Sequence, residues 1–593
     1  MKKLIIIWAL LIGTVYAQTN SGVFVVGGKA INVGDGIPNI FLATQSAFWN
    51  NANNWSLGRL PVTNQNVVIR ANCTVDVSFT VKSLTVESTR TLSFNPFTGT
   101  VNNDFICNGN LNQSGFSSNL ILNGANNSIA GTFTPGTTST ITYNRAGTQD
   151  VLNLPYNFLM FSQGGAAITR NLNAGVFFIK NSLTLGGTPS TTTINKADGA
   201  DITFEGLLGL GNFTTLTTIG NVIIQNGIRA QATNATINCS TLIVRAISQQ
   251  SFLNSQQGVF VNGNFLIENG LTFTNNFGNS FGVAGLNVSG SINGSNASST
   301  FINNGYLVLN SLGSLMNTGV FTNNSGSTIQ LSYAGTSNIP NYTYHNLWLS
   351  NTGTKSLSLN TTVNDLITST NGILNIGNFD LTVNGIALIQ GNNVVESLST
   401  TGTGKLICVG QLQGNNFSMV NIGSNTIECR GGISTVQATS ITLKSPVLFT
   451  TNNQNIQSTN GTDTRPVIFT NSVTINPLLT ITQTTITHSF FTGVLNGVAS
   501  TSILDNRGLV NYQNATAPMV TGQLQTNNAA NTFKYNRAGV QDVKGGTYRT
   551  IEFGGSGVKT LLGNVIINTT AGGSQSTTGS ASVNLNGFTI TTI

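Results

Sequence analysis

A phrase of seven residues, apolar, any, apolar, any, Gly, any, apolar or small, returns again and again along this chain. It reads Phe105, Cys107, Gly109, Leu111; then Val259, Val261, Gly263, Phe265; then Leu286, Val288, Gly290, Ile292. It returns as Leu381, Val383, Gly385, Ala387, as Leu406, Cys408, Gly410, Leu412, and as Ile427, Cys429, Gly431, Ile433. Period-two alternation makes each phrase a strand with one face turned inward, and the glycine marks a bend in the backbone. Equivalent positions lie 27 residues apart from Val261 to Val288, 25 from Val383 to Cys408 and 21 from Cys408 to Cys429. Those are the lengths of one coil of a parallel β-helix. A lone coil cannot bury its apolar row, whereas stacked coils close a common core and satisfy one another's backbone groups. The chain is therefore expected to be all-β, a single-stranded, right-handed parallel β-helix. At roughly 22 residues per coil and about 4.8 Å between coils, it would be elongated, on the order of 120 Å. A β-sandwich array needs a longer period than this.

A coarser repeat overlies the coils. YNRAGTQDVLNLPYNFLMF at Tyr143–Phe161 returns as YNRAGVQDVKGGTYRTIEF at Tyr535–Phe553 and, more loosely, as YAGTSNIPNYTYHNLWL at Tyr333–Leu349. In each copy a tyrosine follows the turn glycine by nine positions: Gly147 to Tyr156, Gly335 to Tyr344, Gly539 to Tyr548. A module of about 200 residues is thus repeated. The expected organisation is a signal peptide at 1–17, a lead-in at 18–47, a Trp-rich cap with the first coils at 48–140, and solenoid modules at 141–330, 331–530 and 531–593. The last module should stop mid-coil, because VNLNGFTITTI at its end matches LNIGNFDLTV at Leu374–Val383, where the chain elsewhere continues into Asn384 and Gly385.

The start, MKKLIIIWALLIGTVYAQ, has two lysines, an apolar core from Leu4 to Val15 and small residues before Gln18. It reads as a secretory leader cleaved after Ala17, too short for a spanning helix. Secretion or display at the outer cell surface follows, with no transmembrane span in the mature chain. Only 7% of residues are charged, against roughly a quarter in ordinary globular chains. The net charge of +7 is not gathered into a basic cluster beyond Lys2 and Lys3, which argues against nucleic acid as a partner.

From Phe48 to Glu87 the chain reads FWNNANNWSLGRLPVTNQNVVIRANCTVDVSFTVKSLTVE, with Trp49 and Trp55 placed to cover the open end of a stacked core. This stretch resembles the start of the bacterial extracellular domain known for its eight glycines, and similar openings in cell-surface proteins of gliding and environmental bacteria. Together with the repeat style, it resembles secreted adhesin-like β-solenoids of the Bacteroidetes kind. The resemblance implies attachment to surfaces, glycans or other cells. Relatives commonly carry acidic residues before the VVI strand, where this chain has Gln65 and Asn66, so no charged or metal-dependent role carries over.

Candidate sites are few. Cys107, Cys408 and Cys429 fill the slot of Val261, Val288 and Val383 and read as core thiols, with Cys73 and Cys239 in similar strands. Cys408 and Cys429 fall on adjacent coils, yet in-register parallel neighbours hold Cβ atoms slightly too far apart for a relaxed disulfide. No metal-ligand spacing links the cysteines, and neither a metal nor a cofactor is expected. Arg145 with Asp150 and Arg537 with Asp542 read as ion pairs bracing a corner, dispensable because the middle copy has Tyr333 and Asn338 there. Asp198 and Asp201 are the closest acidic pair. β-Helix hydrolases similar to polygalacturonases set several aspartates beside a histidine and a basic residue, but His345 and His488 are remote from any acidic pair in sequence. Trp348, outward by parity between Leu347 and Leu349, is the candidate glycan contact. The sequence is therefore expected to encode a non-catalytic adhesive or structural solenoid, the competing reading being a carbohydrate-active β-helix enzyme. A groove where carboxylates meet a basic residue would separate the two.

Overall fold

The computed structural model describes residues 23–26, 29–32 and 37–593, apart from 116, 163–166, 187–190, 211–213, 231–234, 246–249, 252–257, 269, 279–284, 312–314, 369–371, 391–397, 400–401, 416–417, 422, 424, 437–439, 459–465, 485–487 and 529–530. The expected leader at 1–17 lies outside the described residues. Among those described there is no α-helix, only single 3-10 turns at Ala52–Asn54 and Thr569–Ala571. Short strands pair in parallel with strands one coil away, giving a β-solenoid of about 21 turns. Among the described strands the antiparallel pair is a ribbon in the lead-in, Val23–Val26 with Lys29–Asn32, and an isolated antiparallel bridge joins Phe41 to Trp55.

The seven-residue phrases stack as their spacing requires. Leu381 pairs with Leu406, that with Ile427, then Val447, Val473 and Leu495. Two residues along, Val383, Cys408, Cys429, Phe449 and Ile475 form the neighbouring row. All of these side chains are buried. Each fully buried aliphatic contributes about 1.5–3 kcal/mol relative to exposure, so inward rows of this kind hold the coils together. The backbone bends at Gly109, Gly290, Gly385, Gly410 and Gly431 as expected, and the glycine has a second reason besides. A Cβ on Gly410 would lie 1.9 Å from the Gly385 carbonyl oxygen, and one on Gly431 would lie 2.4 Å from that of Gly410. Successive coils touch backbone to backbone at this corner, and only glycine permits it.

The described chain divides into two compact units. One comprises the described residues up to Gly278 with Gly282–Ile302 and Met316–Val320; the other comprises Asn303–Leu315 and Phe321–Ile593. In the first unit the initial solenoid strand, Asn39–Phe41, lies on Asn66–Ile69. Beside it the two tryptophans are buried. Trp49 stacks on Phe79 at 4.0 Å, and Trp55 stands edge-on to Trp49 at 4.7 Å and to Phe41 at 5.0 Å. The Trp55 indole N–H donates to the Trp49 carbonyl at 2.9 Å, which satisfies its one polar atom. Gln65, just before the strand Asn66–Ile69, is fully buried and accepts a hydrogen bond from Asn39.

Candidate functional site

The thrice-repeated stretch is a buried corner. Its glycine takes a left-handed conformation in each copy, at φ 72° for Gly147, 101° for Gly335 and 103° for Gly539, which a side chain adopts only under strain. The tyrosine nine residues later donates its hydroxyl to the carbonyl four residues before itself: Tyr156 to Leu152, Tyr344 to Pro340, Tyr548 to Lys544. In the outer copies a second buried phenol completes a pair, Tyr143 with Tyr156 at 2.8 Å and Tyr535 with Tyr548 at 2.9 Å. The middle copy has Leu331 at that place.

The charges expected to brace this corner do not pair. Among the described residues no ion pair joins Arg145 to Asp150 or Arg537 to Asp542, and Asp150 instead accepts from Asn171 at 3.1 Å. The brace is the residue between them. Gln149 donates to the Leu122 and Gly124 carbonyls, both at 2.8 Å, and accepts from the Arg145 N–H; Gln541 does the same with Tyr512, Asn514 and Arg537. Exposed charges gain more from water than from one another, whereas a corner that turns both carbonyls and an N–H inward is served by a neutral group that both donates and accepts.

A cation on the next coil grips the same corner from beneath. Arg170, Lys355 and Lys559 stack in register on Gln149, Ser337 and Gln541, and all three are fully buried. Arg170 donates to the Tyr143, Arg145 and Gly147 carbonyls, Lys355 to Tyr333, Asn351 and Thr352, and Lys559 to Arg537, Gly539 and Ser556. Burial pushes the ionisation of all three down, Arg170 to about 10. These groups are spent on backbone carbonyls. The motif that dominates the sequence is a structural clamp.

The acidic residues are likewise employed singly. Asp198 takes the Lys196 ammonium and the Gly175 N–H, and the lysine, followed by that backbone bond, holds its carboxyl down to about 2. Asp201 accepts from the Asn221 N–H on the opposite neighbouring coil at 3.2 Å. The pair therefore ties one corner to the coils on either side. The other ion pairs among the described residues join one acid to one base: Arg70–Glu87, Arg245–Glu268, Arg430–Glu428, Arg507–Asp505 and Lys534–Glu552. His345 meets Ser325 at 3.3 Å and Asn346 at 3.1 Å, and burial pushes His488 down. Among the described residues no group of three or more His, Cys, Asp or Glu is placed to hold a metal ion. All five cysteines are buried, unbridged thiols, and Cys408 lies directly in register with Cys429.

No family model, curated protein or solved structure matches this chain. The site must therefore be read from its own geometry.

Trp348 lies on the outward side of its strand, half-buried, in a column with Gln330 and Ile367. One ring face is stacked on Tyr306, with centroids 6.0 Å apart and planes 12° from parallel. The Tyr306 hydroxyl in turn bonds Gln330, whose amide reaches Ser350 at 2.5 Å. A cleft of about 470 Å³ in the second unit is walled by Val520 and Leu562 over Gly545, Gly563 and Asn564. Its one charged group, Lys544, turns its ammonium to the Met519 and Gly522 carbonyls. An apolar slot of this kind has no acid for general acid or base work.

Sequence reasoning missed the outward polar rows. Asn144 donates to Asn123, and Asn123 to Asn102, each at 3.0 Å across one coil. Asparagine thus forms amide ladders along the stack, as well as filling turns. The signal was a Thr-x-Asx triplet recurring at coil spacing, as TQD at 148, TRN at 169, TIN at 193 and TIN at 236, with TLT at 215.

Proposed function

We propose that this chain is a non-catalytic structural or adhesive protein, exported to the medium or the outer cell surface, where its faces make many weak contacts with glycans, surfaces or other cells. The observation that carries this reading is the stacking of outward polar side chains in register, which offers the same group several times at a fixed interval. Linked weak contacts of this kind raise avidity by about 10²–10⁴ over a single contact. The clamp of buried tyrosine, glutamine and cation supports the same reading, since it stiffens the corners that hold those rows in line. Trp348 is the aromatic we assign to glycan contact, through the ring face turned away from Tyr306. Two assays on the whole mature chain test the proposal. Binding to a glycan array and to intact cells should be detectable and should fall with Trp348→Ala, while incubation with pectin and a glycan panel should yield no new reducing ends or unsaturated products. Product formation would assign the chain to the carbohydrate-active enzymes instead.

A further inference from the structure

One face of the first unit is a two-dimensional grid. Strands Gly147–Val151, Ile168–Leu172, Thr192–Lys196, Thr214–Thr218 and Ala235–Val244 pair in parallel. Their register places Thr148, Thr169, Thr193, Thr215 and Thr236 in one row and Asp150, Asn171, Asn195, Thr217 and Asn238 in the next. No register shift interrupts either row over these five strands. Between the rows the inward side chains Gln149, Arg170, Ile194, Leu216 and Ile237 are buried and hold each strand in place. The grid spacing is that of the backbone, about 4.8 Å from strand to strand and about 6.6 Å for the two residues between rows.

The two rows differ in how their polar atoms are used. Asn171 donates to Asp150 at 3.1 Å, Asn195 to Asn171 at 3.4 Å and Asn238 to Thr217 at 3.0 Å, so this row orders itself. The threonine row does not. Among the described residues none of its five hydroxyls has a hydrogen-bond partner in the chain, and all are left to solvent. Threonine is stiff at χ1, so each methyl and hydroxyl of the row is confined to few orientations. Strand propensity alone would place threonine on other outward columns equally. Two such columns are mixed: Gln330, Trp348, Ile367, Leu388 and Gln413 in one, Thr80, Thr100 and Ile121 in another. Apart from Asp150 at one end, the grid is uncharged, so no ion imposes its own hydration shell on it.

A rigid row of threonine methyls and hydroxyls, flanked by a self-bonded row of mostly amides and uncharged but for Asp150, orders the first water layer in its own pattern, and the solid whose surface oxygens repeat at nearly these intervals is ice, on its prism face. We propose that this threonine and asparagine grid is an ice-binding face. The inference deepens the adhesive reading above by naming the surface that one face holds, and it rests on that reading.

The test uses the whole mature chain. It should concentrate in slowly grown ice, open a gap between the melting and freezing points of a single crystal, and facet that crystal on its prism planes. Replacing Thr193→Tyr together with Thr215→Tyr keeps strand-favouring residues but breaks the lattice. It should abolish the gap while leaving the circular dichroism melting curve unchanged, and Thr362→Tyr with Thr382→Tyr, outward in the second unit, should preserve the gap. Exclusion of the chain from ice, or a gap that survives the first double variant, overturns the inference. So does binding to crystalline cellulose or chitin that is lost in that variant without any effect on ice. Glycan or cell binding unchanged by the variant, with no ice activity, sinks the ice face but leaves the adhesive reading standing. New reducing ends sink the adhesive reading and leave the ice assay interpretable.

Discussion

Gln541 and Asp542 are neighbours in the strand Gln541–Val543, and they show how misleading charge can be as a guide to what matters. Arg537 and Asp542 stood out in the sequence because charged residues are scarce, yet the amide between them holds the corner. Its register neighbour Lys559 completes the enclosure. We expect Gln541→Ala to cost about 2 kcal/mol, since it leaves the half-buried Asn514 carbonyl and Arg537 N–H without that partner and takes one of two donors from the Tyr512 carbonyl, and Asp542→Ala to stay within about 0.5 kcal/mol. Urea unfolding of the two variants checks this; equal effects would return the brace to the ion pair. The tyrosines of this corner were visible as a motif. Their pairing was not, because nothing local says that two phenols thirteen residues apart meet inside.

Strands and corners were the most legible level. Alternation located the phrases, and Val383, Cys408 and Cys429 do share one row as their spacing implies. The glycine's bend was legible, but its second role was not, because close approach of one coil's backbone to the next leaves no trace in a single coil's sequence. Gly410→Ala would force a Cβ to within 1.9 Å of a carbonyl oxygen and should destabilise the chain by about 3 kcal/mol through displaced strands. Gly539→Ala meets nothing within 4 Å and carries only the strain of φ 103°, about 1–2 kcal/mol. Hydrogen exchange should locate the first defect in the strands flanking Gly410, and the second in the turn alone.

Taken whole, the molecule hides acids weak enough to matter only in alkali. Burial raises the thiols, to about 11 at Cys107 and about 12 at Cys239 and Cys408, and raises Cys73 and Cys429 as well. It raises the phenols in both units, to about 12 at Tyr143 and Tyr512, and upward also at Tyr156, Tyr306, Tyr333, Tyr342, Tyr344, Tyr535 and Tyr548. Unfolded, these groups lose protons at 9.0 and 10.0; folded, they do so only at higher pH. The stability they lend is therefore complete below about pH 9 and drains away as the pH climbs toward about 12. The melting temperature should fall through that window, and tyrosinate absorbance should rise together with loss of the β circular dichroism signal. Tyrosines that titrate near 10 without unfolding would contradict the burial.

The parallel solenoid follows from the sequence alone, because alternation dictates which side chains turn inward and coil-length spacing dictates that the inward rows stack. Strand and turn are local requirements, satisfied by residues close together in the chain. Which outward residues come to lie over one another is different in kind. Coils as short as the 17 residues from Val67 to Leu84 and as long as the 27 from Val261 to Val288 absorb their unequal lengths at the corners, so Thr148 and Thr236 join one row, and Arg170 seals a turn a coil away, only when all the coils have settled against each other. Registry across a stack is a collective property of packing, and only the tertiary structure decided it.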